Sequence, residues 1–112
     1  MPRNVTEEIR RTLDDKPIVL YLKGTRDVPT CGYSAVVVDI LARLETEYEA
    51  IDVSGDAELR EGVQAYAGWP SFPQLFVRGR LLGGADLIRE LDRTGELKGL
   101  MAAPSEAPAP SA

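Results

Sequence analysis

Five residues in a row, Ile18-Val19-Leu20-Tyr21-Leu22, are apolar, and Pro17 stands directly before them. A strand with one wet face alternates apolar and polar residues. An unbroken run of this length instead suits a strand buried on both faces by helices. The flanking pattern agrees. Val5, Ile9 and Leu13 share one face of a helix before the run. Val37, Ile40, Leu41 and Leu44 recur at helical spacing after it, with Asp39, Arg43 and Glu45 opposite.

The pattern predicts helix Val5–Leu13, strand Ile18–Leu22, a polar loop over Lys23–Thr30, helix Gly32–Leu44, strand Tyr48–Val53, and helix Asp56–Tyr66 capped by Ser54 or Asp56. Strand Pro73–Val77 follows, and Arg78-Gly79 turns it into strand Arg80–Leu82. Gly83-Gly84 then breaks the chain and Asp86 starts a helix through Leu87, Ile88 and Leu91, with a short last helix over Glu96–Met101. A βαβ unit with a right-handed crossover comes first and a hairpin second. The expected fold class is therefore α/β, a four-stranded mixed sheet flanked by helices on both faces. This is the element order of the thioredoxin fold.

At 112 residues the chain suits one compact domain, expected over 1–101. Residues 102–112, rich in Ala and Pro with no large apolar side chain, read as a disordered tail. The net charge of −5 argues against sequence-independent contact with a nucleic-acid backbone, which needs a basic surface. No apolar run is long enough to cross a bilayer. The first residues, Met1-Pro2-Arg3-Asn4-Val5-Thr6-Glu7-Glu8, lack the apolar core of a secretory signal and are too acidic for a transit peptide. A cytoplasmic location is expected. With no histidine and one cysteine, one chain cannot build an ordinary zinc site or a Cys-His hydrolase centre.

That cysteine, Cys31, lies in Pro29-Thr30-Cys31-Gly32-Tyr33-Ser34, with serine where a dithiol redox protein carries its second sulfur. It sits where the loop after the first strand meets a helix N-terminus. Free backbone N–H groups there favour a thiolate, whose pKa at such positions falls from ~8.5 into the range ~3.5–7.5. Lys23 adds positive charge nearby. The plain alternative is a small buried apolar cysteine. Two further clusters stand out. Trp69-Pro70-Ser71-Phe72-Pro73-Gln74 forces extended backbone, and a cis Pro73 would expose the backbone of Ser71 or Phe72 to an extended ligand. A rigid turn into a core strand accounts for it equally well. Gly83-Gly84-Ala85-Asp86 permits close backbone approach, with Asp86 either an ordinary helix cap or the acceptor for an amine.

Taken together, Lys23-Gly24-Thr25, Pro29-x-Cys31-Gly32-Tyr33-Ser34, Trp69-Pro70-Ser71-Phe72-Pro73-Gln74-Leu75 and Gly83-Gly84-x-Asp86 resemble the motifs of monothiol glutaredoxins of the CGFS class, in order and spacing, over roughly Val5 to Met101. The resemblance implies the glutaredoxin type of the thioredoxin fold. It also implies glutathione as ligand, and one 2Fe–2S cluster shared by a homodimer on two protein thiolates and two glutathione thiolates. Cys31 would then be the cluster ligand and the reactive group. Lys23 and Arg60 would neutralise glutathione carboxylate. Ser71, with Phe72 and Pro73, would pair with its cysteinyl part, and Gly84, Ala85 and Asp86 would hold its γ-glutamyl end. Three positions depart from the family pattern: Tyr33 for phenylalanine, Gln64 for a frequent lysine, and Ala85 for cysteine or serine. The resemblance points first to a carrier that hands clusters to apo iron–sulfur proteins. The second expectation is a glutathione-dependent thiol-disulfide oxidoreductase, for which one cysteine suffices. A redox-inactive adaptor is the third.

Overall fold

A computed structural model describes residues 2–102; most of the expected tail, 103–112, lies outside the described residues. Nine elements follow one another: α1 Val5–Asp15, β1 Ile18–Leu22, α2 Gly32–Arg43, β2 Glu49–Asp52, α3 Ala57–Ala67, β3 Gln74–Val77, β4 Arg80–Gly83, α4 Ala85–Thr94 and α5 Glu96–Ala102. Their order and type are those predicted. The strands lie side by side as β2-β1-β3-β4, with β1 parallel to β2 and antiparallel to β3, and β3 antiparallel to β4.

All five residues of β1 are buried, and alternate ones enter opposite layers. Ile18, Leu20 and Leu22 pack with Val37, Ile40 and Leu41 of α2, Ile88 of α4 and Leu97 and Met101 of α5. Val19 and Tyr21 pack with Ile9 and Leu13 of α1, Leu59 and Val63 of α3, and Phe72 and Phe76. Full burial of one such side chain is worth roughly 1.5–3 kcal/mol, so this strand alone anchors both layers.

Helices α1 and α3 meet at Gly62, where an added Cβ would fall against Cγ1 of Val5. Gly62→Ala is therefore expected to destabilise by about 1–2 kcal/mol. The overpacking cost of ~1–3 kcal/mol outweighs the gain in helix propensity of up to ~1 kcal/mol. Urea unfolding of that variant beside Val5→Ala/Gly62→Ala checks the cause, because the smaller partner should recover most of the loss.

Two details of the caps differ from the sequence expectation. Of the two candidates for α3, Asp56 is the cap: its carboxylate accepts from the backbone N–H of Leu59 at 3.0 Å. Asp86 does not start α4. Gly84 is the cap residue and Ala85 the first helical one, so no side chain caps this end. Gly84 takes an extended backbone (φ −100°, ψ −166°) that carries the chain into the helix one residue earlier than the aspartate.

At the opposite end of the sheet, the backbone N–H of Arg78 donates to the carbonyl of Pro17. The Arg78 guanidinium donates to the carbonyls of Leu100 and Met101 at the end of α5. This one residue ties the β3–β4 turn, the entry to β1 and the last helix together.

Candidate functional site

The carboxyl end of β1 and the chain entering β3 meet at one edge of the molecule, because Tyr21 pairs with Gln74 across the antiparallel ladder. Lys23 follows β1 directly, and the expected polar loop proves to be tightly closed. Thr30 N–H donates to Lys23 O, Thr25 N–H to Val28 O, and Val28 N–H to Thr25 Oγ1. Gly24 and Pro29 form a bridge across it. Asp52, at the end of β2, holds the loop from outside: its Oδ1 accepts from Gly24 N–H at 3.0 Å and from the Ser54 N–H and hydroxyl. Arg26 lies 4.1 Å over the ring of Tyr48.

This loop delivers Cys31 as the residue before α2, with extended backbone (φ −133°, ψ 136°). The thiol is half-buried and unpaired. It is held below the ordinary thiol range, chiefly because the Ser34 backbone N–H is aimed at the sulfur. The Tyr33 N–H, the Lys23 charge and the Ser34 hydroxyl add to this, while partial burial works the other way. Ser34 is fully buried, and its Oγ accepts from Lys23 N–H at 3.2 Å. The serine in the position of a second thiol thus fastens the end of β1 to α2.

Opposite Cys31, α3 ends at Gly68 in the left-handed conformation (φ 64°), which only glycine adopts freely. The chain turns there and crosses the end of the sheet as Trp69–Pro73. The Phe72–Pro73 bond is cis, and Phe72 is the residue directly before it. Glutamine amides take three successive carbonyls of this crossing. Gln64 Nε2 donates to Pro70 O at 2.7 Å, and Gln74 Nε2 donates to Trp69 O at 2.9 Å and to Ser71 O at 3.0 Å. Gln74 is wholly buried.

A cleft of about 1000 Å³ runs between these segments, and every residue expected to hold the ligand or react with it lines it. Lys23 and Cys31 stand on one wall. Arg60, whose Nη1 donates to Val53 O at 3.3 Å, comes from α3. Ser71, Phe72 and Pro73 line it from the crossing segment, and Gly84, Ala85 and Asp86 line it from the start of α4. Asp86 makes no hydrogen bond or ion pair among the described residues, so its carboxylate is free to meet a cation. Of the two backbones expected to meet a ligand, that of Ser71 has its carbonyl already engaged by Gln74. Two of the other lining residues are aromatic. Tyr33 is exposed at the mouth, and Trp69 lies along the Gly84 end. Tryptophan before proline, as the only tryptophan of the chain, was the available signal for the second.

The arrangement offers one activated sulfur, two cationic side chains, open backbone amides at the start of α4 and an unpaired carboxylate around one cleft. It suits a ligand that carries both negative and positive charge.

The glutaredoxin family profile matches residues 18–82, which hold both walls of the cleft. A probable monothiol glutaredoxin 2 of Rickettsia conorii is 43% identical over 95 residues, covering 85% of this chain and 89% of that protein. Monothiol glutaredoxin-S11 of Oryza sativa subsp. japonica is 38% identical over 95 residues, which cover 85% of this chain and only 19% of that much longer protein. Among solved structures, a monomeric truncated mutant of Trypanosoma brucei 1-C-Grx1 superposes with a TM-score of 0.79 at 31% identity, covering 89% of this chain and 91% of that one. A buckwheat glutaredoxin–glutathione complex superposes with a TM-score of 0.74 at 24% identity, over 87% and 86% of the two chains, a likeness of fold. With the profile spanning more than half the residues and relatives near 40% identity over most of the length, this chain belongs to the glutaredoxin family, among the monothiol glutaredoxins.

Proposed function

We propose that the protein binds glutathione in this cleft. As a homodimer it would hold a 2Fe–2S cluster as cargo on two Cys31 thiolates and two glutathione thiolates, and pass it to apo iron–sulfur proteins. The supporting observation is the single thiol, depressed in pKa and half-exposed at the mouth of a cleft suited to a zwitterionic thiol. Such a cluster takes four thiolates. One chain gives one, and among the described residues no three His, Cys, Asp or Glu side chains gather to hold a metal by themselves. The donor set therefore fits a shared cluster and no private one. The glutathione reading draws on the buckwheat relative, solved as a glutathione complex. A cytoplasmic location belongs to the same proposal.

In this reading Lys23 and Arg60 face the glycine carboxylate. The backbone of Phe72, presented by cis Pro73 and flanked by Ser71, pairs with the cysteinyl residue. Gly84 and Ala85 offer N–H groups to the γ-glutamyl carboxylate, while Asp86 accepts from its ammonium. Gln64, turned toward Pro70, leaves the glycine end to the two cations. The test is anaerobic reconstitution with iron, sulfide and glutathione, expected to give a coloured dimer; a colourless monomer under all such conditions rejects the carrier.

The lowered pKa of Cys31 also favours the second reading, thiol-disulfide exchange. Its thiolate attacks the glutathione sulfur of a mixed disulfide and releases the substrate thiol. A second glutathione thiolate then attacks the Cys31–glutathione disulfide, leaving glutathione disulfide and the free Cys31 thiolate. Rapid turnover of a glutathionylated substrate without any cluster would select this reading. Under either one, Asp86→Ala is expected to weaken glutathione binding at least about tenfold, a hydrogen bond to a charged group being worth ~1.5–3 kcal/mol. Calorimetry on the apo-protein measures it, and unchanged affinity removes Asp86 from the site.

A further inference from the structure

Trp69 combines properties that packing alone does not call for. Nearly half of it (46%) is exposed, yet its backbone is fixed on both sides. Its N–H donates to Gln64 O at 3.2 Å, its carbonyl accepts from the buried Gln74 amide, and the next carbonyl accepts from Gln64 Nε2. The indole itself lies in the cleft, with Nε1 3.6 Å from the point where a Cβ on residue 84 would stand. That N–H has no partner among the described residues.

What it faces is the uncapped start of α4. Gly84 has no side chain to satisfy the first-turn amides, Asp86 does not cap them, and the first intrahelical bond begins with Ile88 N–H to Gly84 O. The amides of Ala85, Asp86 and Leu87 are left open, where the helix dipole favours an anion. An indole N–H is a donor only and adds to a set of donors. Such a set complements a carboxylate and rejects an ammonium, which is left to Asp86 on the next helical position.

We propose that Trp69 is a specificity-determining contact: its indole N–H donates to the α-carboxylate of a γ-glutamyl thiol seated on the amides at the start of α4. This rests on the glutathione reading above and extends it to a residue outside the motif roles. The fixed loop makes the contact preorganised, so that little side-chain freedom is lost when the ligand arrives.

The experiment is a chemical-shift titration of the apo-protein with reduced glutathione at pH 8, for the wild type, Trp69→Phe and Trp69→His. Phenylalanine keeps an aromatic wall without the donor. Neutral imidazole restores a ring N–H at nearly the distance of indole Nε1. The expected result is a Kd about tenfold weaker for Trp69→Phe and within threefold of wild type for Trp69→His. A Trp69→Phe affinity within twofold of wild type overturns the proposal and leaves the glutathione reading standing. Equal weakening in both variants also overturns it, since the ring would then serve only as a wall. If the wild type itself does not bind glutathione, the underlying reading fails and this contact falls with it.

Discussion

Cys31→Ser is expected to abolish cluster assembly completely while leaving the domain folded. Reconstituted under anaerobic conditions, the variant should stay colourless and monomeric, with an unfolding curve close to that of the wild type. The reason lies in the donor count. No other cysteine exists in the chain, and a serine hydroxyl does not ionise near neutral pH to replace a thiolate. The half-exposed sulfur contributes little to either core layer, so its loss should leave stability nearly unchanged. Visible absorbance retained by the variant would disprove the ligation. The same sulfur carries a pH signature. Because the fold lowers its pKa through the Ser34 and Tyr33 amides and the Lys23 charge, alkylation by iodoacetamide should reach half its maximal rate at a lower pH than in the denatured chain. The sign for stability follows from the same shift. A depressed acid group favours the fold above its unfolded pKa, and that contribution is lost as pH falls through the folded value.

Gly24→Ala should produce the largest loss of stability among single substitutions near the cleft, roughly 3–5 kcal/mol. Gly24 has φ +91°, and a Cβ there would strike the backbone N of Thr30, while standing 2.6 Å from Val28 O and 2.9 Å from Pro29 Cα. All three are main-chain atoms of the closed loop, so none can rotate away as a side chain would. The loop must open, and the hydrogen bonds that set Cys31 against α2 open with it. For a domain of this size the expected fall in Tm is more than about 12 °C. Gly79→Ala is the control. Its φ of +83° is similarly left-handed, but nothing lies within 4 Å of the added atom. It should cost only the backbone preference, about 1–2 kcal/mol. Equal losses in the two variants would show that loop closure contributes nothing.

The fold was legible because its signals were local and redundant. The apolar run of β1 demanded two covering layers, and the helices that supply them announced their faces by spacing. The cis bond was legible as a candidate from Pro73 in its motif, and Asp56 from its place before α3. What stayed hidden depended on contacts between distant residues. The loop over 23–30 looks like any polar connection until Asp52, twenty-eight residues from Gly24, is seen accepting its N–H. Gln74 reads as a polar residue in an apolar strand. Only the fold shows its amide turned back onto Trp69 and Ser71. The start of α4 was misplaced because an aspartate is the better cap by chemistry, whereas the extended backbone at Gly84 begins the helix before Asp86 is reached. Most candidate site residues lie in contiguous motifs, whereas Arg60 stands alone in α3 and entered only through the family resemblance, and Trp69 needed the neighbouring glycine in three dimensions before a role could be assigned.

The Arg78 tie has a practical consequence for handling the molecule. It moors the close of α5 beside Pro17, where β1 begins, whereas Cys31 lies beyond the point where β1 finishes; five extended residues separate the two by about 17 Å. A dye or bead attached at the end of α5 would therefore sit at the pole remote from the sulfur, so labelling there should leave the thiol open to solution.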